Sequence, residues 1–205
     1  MTAMRATEVP STRERLLAAA LEVFSTHGYD GARVQEIARR AGLTTGAIYG
    51  NFRGKAELLM EAIGSRSAEE LDQLITPREQ VQRDAADQML AMGRKLMAGA
   101  TSTRQALLIE ALVSARRDTE LASLIRTTID DQRAKLRATV EHARAEGAIA
   151  DAVDSDAFVS FGLALAFGSL LFKAIDLPRP EQGGWDELMT RFMGSLSEPG
   201  DDDVV

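Results

Sequence analysis

Residues 34–52 read VQEIARRAGLTTGAIYGNF, and this stretch decides the fold of the N-terminal part of the chain. Its apolar spacing predicts two short helices separated by Gly42. Ala38, Gly42 and Ile48 follow one another at spacings of four and six residues. They supply a small residue where two helices cross, a residue suited to a left-handed turn, and an apolar residue facing back. This pattern is typical of a helix-turn-helix unit, whose second helix enters the DNA major groove.

The spacing alone leaves an ordinary helical hairpin open as an alternative. The outward face of the second helix favours DNA, because its residues are small or form hydrogen bonds and none is a large aliphatic. Thr44 is predicted to cap this helix, whose free amides then favour phosphate. Lys55, at the next helix start, is predicted to be a phosphate cation. The candidate face consists of Thr44, Thr45, Gly46, Tyr49, Gly50 and Asn51.

The remaining sequence also has helical periodicity, with no sustained alternation typical of strands. We therefore expect an all-α protein of about nine helices. The first should begin near Ser11 or Thr12 and end at Gly28. Asp118 is predicted to cap a long helix, and the segment from Leu177 to Gly184 is predicted to be a loop. The other helices are expected at residues 34–41, 45–52, 55–75, 78–98, 102–116, 118–147, 154–176 and 185–196.

The composition excludes several classes of protein. The chain has 205 residues, 45% of them hydrophobic, 24 Lys plus Arg, 31 Asp plus Glu, and no Cys. Wholesale disorder is excluded by this apolar content, and disulfides, thiolate nucleophiles and Cys-ligated metals are excluded by the lack of cysteine. The N-terminus lacks the apolar central region of a secretory signal, so a cytoplasmic location is expected.

One apolar stretch, residues 157–172, bears on a membrane location. It lies between Asp156 and Lys173 and is shorter than the roughly 20 residues that a bilayer span requires. The sequence therefore predicts a buried helix here and no membrane partner.

The charge is unevenly distributed along the chain. Residues 1–56 carry eight cations and five acids, a net charge of +3, whereas the remainder carries −10. An acidic protein with a basic N-terminal quarter can still bind a polyanion, because phosphate contact depends on the local surface. A segment of +3 is also common by chance, so this asymmetry is weak support by itself.

Three motifs together carry a resemblance to a known family: Gly28-Tyr29, then IARRAG, then LTTGAIYGNFRGKAELL. Over residues 12–59 the chain resembles the N-terminal domain of the TetR family of bacterial transcriptional regulators. The resemblance implies three N-terminal helices, a linking fourth helix, and a larger helical domain for ligand binding and dimerisation. The implied domains are residues 1–54 for DNA binding, with a disordered start at 1–10, residues 55–197 for effector binding and dimerisation, and an acidic tail at 198–205.

The resemblance also implies roles for particular residues. Thr45, Gly46 and Tyr49 should lie in the major groove, with Ala47, Gly50 and Lys55 near phosphates. The chain departs from the family at three positions. Arg33 stands where the family usually has a capping threonine, so a cap is lost and a cation is gained. Gly50 replaces a residue that is often aromatic, and Asn51 replaces a residue that is frequently histidine.

The larger domain lacks a diagnostic motif, so its sites are predicted from architecture and composition. Its last two apolar helices resemble the pair that forms the family's dimer interface, and the same residues could instead form the monomer core. The dimer candidates are Phe167, Leu171, Phe172, Met189, Phe192 and Met193. An apolar effector pocket suits adaptable methionine side chains, although such residues also serve as ordinary core. The pocket candidates are Met89, Met92, Leu96, Leu108, Leu112 and Phe161.

These observations predict a homodimeric repressor that binds a two-fold symmetric DNA operator and is released by a small apolar or amphipathic effector. A co-regulator controlled without a ligand, or by a partner protein, remains an alternative. An enzyme is disfavoured because the chain lacks GxSxG, Walker, GxGxxG and HExxH motifs. No catalytic residue, metal ligand or cofactor is predicted.

Overall fold

The computed structural model describes residues 10–64, 102–178 and 180–197, and the regular structure in these ranges is helical throughout. The all-α prediction is confirmed. The predicted helix at 78–98, the N-terminal residues 1–9 and the acidic tail at 198–205 lie outside the described residues. The helices are α1 (Thr12–Gly31), α2 (Val34–Arg40), α3 (Thr45–Asn51), α4 (from residue 55, described to residue 64), α5 (Thr103–Ser114), α6 (Thr119–Ala145), α7 (Ser155–Ala174) and α8 (Gln182–Gly194).

Side-chain caps set several helix starts. The Ser11 hydroxyl accepts the Glu14 backbone N–H at 3.2 Å, and the Glu14 carboxylate accepts the Ser11 N–H at 2.7 Å, which forms a capping box on α1. Asp118 accepts the Leu121 N–H at 3.0 Å and caps α6 as predicted. Asp154 caps α7 in the same way through the third amide of that helix.

Two predicted helix ends differ from the structure. Gly28 interrupts α1 with a φ of 68°, but a further turn continues to Gly31, so the glycine produces a kink rather than the end. Helix α8 begins at Gln182, and Gly183 and Gly184, predicted to be loop, lie in its first turn. The backbone N–H of the buried Trp185 donates to the Glu181 carbonyl at 3.1 Å, so the helical turn precedes Trp185 and includes both glycines.

The chain forms two compact units. The first comprises Met1–Ser65 and Thr103–Ile125, so it contains α1 to α5 and the start of α6. It is larger than the predicted DNA-binding segment 1–54, because α4 and α6 also place residues in its core. The fully buried large side chains of this unit are Leu16, Val23, Phe24, Ile37, Ile48, Leu58, Leu59 and Leu121.

The second unit comprises Arg66–Ser102 and Arg126–Val205. Its described core joins α6, α7 and α8 through Val140, Ala143, Ile149, Val159 and Met193. Leu136, Phe158 and Phe192 pack against this cluster while partly exposed.

Helix α7 is much less buried than the sequence predicted. Of its twenty residues only Ser155, Val159 and Ser169 are buried, and the other large apolar side chains of α7 are half-buried or exposed in the single chain. The prediction of a buried helix is wrong for one chain, because composition does not say which apolar residues have packing partners. By length and composition α7 could cross a membrane, but one such helix is weak evidence, since core helices of soluble proteins pass the same test.

Candidate nucleic-acid interface

The turn between α2 and α3 has the geometry that its sequence predicts. Gly42 has a φ of 65°, a left-handed conformation that favours glycine. Its backbone N–H donates to the Arg39 carbonyl at 3.1 Å, and the Leu43 N–H donates to the Ala38 carbonyl at 2.9 Å. This pair of bonds is a Schellman motif, which ends α2 and turns the chain into α3.

A small apolar core holds α3 in place. Ile48 is completely buried on the inner face of α3, and Ala38 of α2 and Phe52 after α3 are 2% exposed. Helix α1 contacts both α2 and α3 and contributes the buried Leu16 and Phe24 to the same unit. The inner face of α3 is therefore fixed by packing, and its opposite face is left to solvent.

The solvent face of α3 is polar and nearly flat. The Thr44 hydroxyl accepts the Ala47 N–H at 3.3 Å and so caps the helix as predicted. Tyr49 is 60% exposed, and a Cβ added at Gly50 would meet no atom within 4 Å. Gly46 is exposed on the same helix. A helix face with so little side-chain bulk can approach base edges closely, with one phenol available for hydrogen bonding or stacking.

Asn51 and Arg33 differ in how available their side chains are. The Asn51 side-chain amide donates back to the Ala47 carbonyl at 2.8 Å, and the Asn51 backbone carbonyl accepts from Arg13 at 3.0 Å. Arg33 is exposed, and it precedes α2 without a side-chain cap, as predicted for the loss of threonine there. Arg33 can therefore reach an anion, whereas the Asn51 amide is already engaged within α3.

Lys55 lies in a different environment from a free surface cation. Its ammonium donates to the Tyr29 carbonyl at 2.7 Å and lies 3.4 Å from the Ala32 carbonyl and 3.5 Å from the Asp30 carbonyl. It also sits 4.5 Å from the centroid of the Tyr29 ring. The donors of Lys55 are thus directed at the C-terminal turn of α1.

Sequence reasoning missed two further exposed cations near these helices. Arg39 is exposed on α2 and makes no ion pair with another described residue. The Arg53 side chain is 86% exposed, and its Nε atom lies 3.8 Å from the Glu57 carboxylate. The signal for Arg39 was present in the sequence, because its neighbours Ile37 and Ala38 face inward and leave the arginine outward.

The dimer candidates fall into two groups. Leu171 and Phe172 are 52% and 46% exposed, and Phe167, Met189 and Phe192 are half-buried. Met193 is different, because it belongs to the core of its own unit and is 8% exposed. It therefore has little surface left for a partner, since the inward face of α8 packs on α6 and α7.

The pocket candidates are only partly described. Met89, Met92 and Leu96 lie outside the described residues. Leu108 and Leu112 are half-buried on α5, and Phe161 is 45% exposed on α7. The ring of Phe161 lies 5.2 Å from that of Phe192, so the structure joins a pocket candidate to a dimer candidate.

Comparison with known families agrees with this arrangement. Residues 16–62 match the model for bacterial regulatory proteins of the tetR family, and residues 79–181 match the tetracyclin repressor-like C-terminal domain. The chain belongs to the TetR family of bacterial regulatory proteins and is a DNA-binding transcription regulator with a helix-turn-helix. The predicted family is thereby confirmed.

Individual relatives share either the N-terminal sequence or the fold. The chain is 48% identical over 61 residues to the HTH-type transcriptional regulator SrpR of Pseudomonas putida, a match that covers 30% of this chain and 29% of SrpR. The solved structure of Salmonella enterica GusR is 20% identical with a TM-score of 0.74, covering 95% of this chain and 99% of GusR. Bacillus subtilis FadR, solved in complex with stearoyl-CoA, is 16% identical with a TM-score of 0.71, covering 90% and 98% of the two chains.

Proposed function

We propose that the protein is a homodimeric repressor that leaves its operator when a small apolar or amphipathic molecule binds. The observation that carries the DNA-binding half is the exposed face of α3, which combines small residues and hydrogen-bonding groups on a helix fixed by the buried Ile48. In this proposal residues 1–54 read DNA, and residues 55–197 bind the effector and dimerise.

The proposed contacts divide into base and phosphate contacts. Thr45, Gly46 and Tyr49 lie at base edges in the major groove, where direct contacts determine sequence preference. Thr44, Ala47 and Gly50 lie near phosphates: the Thr44 hydroxyl, which accepts the Ala47 N–H, donates its own proton to a phosphate, and the small Ala47 and Gly50 let the DNA backbone approach closely. Arg33 adds a cation to the phosphate contacts, and Asn51 lies beside them at the end of α3.

The exposed apolar side chains of α7 and α8 support the dimer. Leu171, Phe172 and Leu188 are 52%, 46% and 56% exposed, and large apolar patches of this kind mark protein interfaces. Phe167 and Met189 extend the same proposed interface. Two recognition helices related by a two-fold axis would contact half-sites about 34–36 Å apart, one turn of DNA.

The effector proposal draws on the family's C-terminal domain and on one structural neighbour. FadR of Bacillus subtilis was solved with stearoyl-CoA, an amphipathic molecule. Leu108, Leu112 and Phe161 are apolar groups with unburied surface in the described residues. An effector can release DNA only if it binds the form with misplaced recognition helices more tightly than the DNA-binding form.

The test begins with selection of a duplex from a random-sequence library by the purified full-length protein, followed by affinity and mass measurements. We expect a two-fold symmetric sequence and a dimer in solution. Tyr49→Ala should weaken binding to that duplex without changing the dimer mass, whereas Val113→Ala, a matched change at an exposed residue of α5, should alter neither. Equal affinities for Tyr49→Ala and the parent protein would remove the proposed DNA face.

The effector is tested by titrating the bound duplex with a panel of apolar and amphipathic molecules that includes stearoyl-CoA. Saturable release by one of them supports the proposal, and Leu112→Trp should change that response while preserving DNA affinity. If no molecule releases the duplex or raises the unfolding temperature, the ligand-independent or partner-controlled co-regulator is favoured.

A regulator that binds chromosomal DNA acts in the cytoplasm, which is where we place the protein.

A further inference from the structure

The C-terminal turn of α1 is held by side chains from two distant parts of the first unit. Tyr29 is 3% exposed, and its hydroxyl donates to an Asp118 carboxylate oxygen at 2.6 Å. Its backbone N–H donates to the Glu110 carboxylate at 2.6 Å. Both acids follow the helix-turn-helix by more than fifty residues, so the corner between α5 and α6 closes on the end of α1.

Lys55 holds the same turn from the start of α4. Its ammonium donates to the Tyr29 carbonyl and lies over the Tyr29 ring. Carbonyl oxygens at a helix C-terminus carry partial negative charge, so a cation there is stabilising. The Tyr29 carbonyl thus accepts a hydrogen bond from Lys55, and the Tyr29 N–H donates one to Glu110.

Asp118 connects this turn to α6. One carboxylate oxygen accepts the Leu121 N–H at 3.0 Å and caps α6, while the other accepts the Tyr29 hydroxyl. The hydrogen bond from the Leu121 amide lowers the pKa of Asp118 most, and the bond from the Tyr29 hydroxyl lowers it next. The positive charge of Lys55 lowers the pKa further. A carboxylate that stays ionised can serve the helix cap and the tyrosine together.

We propose that Lys55, Tyr29 and Asp118 form a positioning lock, in which Lys55 supports DNA binding by fixing α1 against the start of α4 rather than by contacting phosphate. Lys55 follows α3 by four residues, so the position of α3 relative to α1 depends on where Lys55 is anchored. Asp118 extends the same constraint to α6. This inference rests on the proposed function, because the lock affects DNA affinity only if α3 is the helix that binds DNA.

The discriminating measurement is the salt dependence of DNA affinity. A residue that neutralises a phosphate releases a counterion, so its removal lowers the slope of log K against log salt by about one. A positioning residue leaves that slope unchanged and lowers affinity equally at every salt concentration. Arg33→Met is the matched control, because Arg33 is an exposed cation proposed to contact phosphate.

The experiment uses full-length protein, the library-selected duplex and fluorescence anisotropy from 50 to about 200 mM salt, the range over which counterion release is marked. For both Lys55→Met and Tyr29→Phe we expect an unchanged slope and affinity lower by about tenfold, because each removes a hydrogen bond in which one partner is charged. Asp118→Asn keeps one oxygen for the α6 cap but replaces the oxygen that accepts from Tyr29 with an NH2 group, so it should lower affinity about as much as Tyr29→Phe. Asp118→Ala removes both bonds and should lower affinity further. A reduced slope for Lys55→Met, matching Arg33→Met, overturns the lock in favour of a phosphate contact.

A second readout separates the lock from the proposed function. Amide hydrogen exchange of the free protein should be faster at residues 29–32 in Tyr29→Phe and Lys55→Met than in the parent chain. Unchanged exchange overturns the lock even if the parent protein binds no duplex. Failure of the parent protein to select any duplex would instead remove the proposed function. Should Lys55→Met fail to fold, Tyr29→Phe, which removes one oxygen, decides both measurements.

Discussion

Gly28 offers a direct test of how closely the α5–α6 corner packs on α1. Gly28 has a φ of 68°, and a Cβ built there would lie 2.2 Å from the Glu110 Oε1 atom and 3.1 Å from its Cδ. Gly28→Ala therefore combines a left-handed backbone at a non-glycine residue with displacement of a carboxylate. The carboxylate cannot move without losing its 2.6 Å hydrogen bond from the Tyr29 N–H.

The two costs can be estimated separately. Gly28 has a φ of 68° and a ψ of 175°, a backbone region that is essentially restricted to glycine and costs an L-residue about 1–3 kcal/mol. A hydrogen bond to a charged group contributes roughly 1.5–3 kcal/mol. Gly28→Ala should therefore lower the free energy of unfolding by about 2.5–6 kcal/mol.

Urea denaturation followed by far-UV circular dichroism measures this loss, and Gly147→Ala supplies the control. Gly147 has a φ of 75° with no atom within 4 Å of its Cβ position, so alanine there should cost only the backbone part, about 1–2 kcal/mol. In a Glu110→Ala background Gly28→Ala should cost only its own backbone part, about 1–3 kcal/mol, because the clash with the carboxylate has gone. Equal costs for Gly28→Ala with and without Glu110 would refute the proposed packing.

Three other measurements test separate features. Gly50→Ala should raise the free energy of unfolding by up to about 1 kcal/mol, since nothing lies near its Cβ, yet weaken duplex binding in anisotropy. The pKa of Asp118 is lowered on folding, mainly by the hydrogen bond from the Leu121 amide. The ionised carboxylate therefore stabilises the folded protein above the unfolded pKa, and this stabilisation is lost as pH falls through the folded pKa. Asp118→Asn should flatten the acid side of a curve of unfolding free energy against pH. Asp154→Ala, which removes the α7 cap, should cost about 1 kcal/mol in urea denaturation, whereas Asp156→Ala breaks only an exposed ion pair and should cost less than about 1 kcal/mol.

The helix-turn-helix could be predicted from sequence because its determinants are local. Ala38, Gly42 and Ile48 lie within eleven residues, and each has a conformational or packing role that its side chain dictates. The structure gives Gly42 its left-handed turn and Ile48 its buried position. The contacts of Tyr29 with Glu110 and Asp118 could not be predicted this way, since they join residues 81 and 89 positions apart.

The environment of α7 was beyond sequence reasoning for a different reason. Its apolar composition predicted burial, but burial depends on which elements supply a partner, and one chain leaves Leu171 and Phe172 about half exposed. Met193 shows the opposite outcome, because it was a dimer candidate and lies in the core of its own unit. Periodicity identifies apolar side chains, but only the packed structure distinguishes a core residue from an unpartnered surface.

The cations of the first unit fall into two sets, those that contact protein groups and those that remain available to an anion. Most cations near the helix-turn-helix are directed at protein groups. Arg33 and Arg39 make no ion pair with another described residue, and the Arg53 side chain is 86% exposed with only a 3.8 Å contact to Glu57. The net charge of +3 over residues 1–56 therefore overstates the cations available to DNA. In the proposed complex, the Thr44 hydroxyl and the free amides at the start of α3 would share the phosphate contacts with the exposed arginines. The engaged cations are Arg13 with Glu61, Arg15 with the Ala41 carbonyl, Arg40 with Glu22, and Lys55 with the turn at Tyr29.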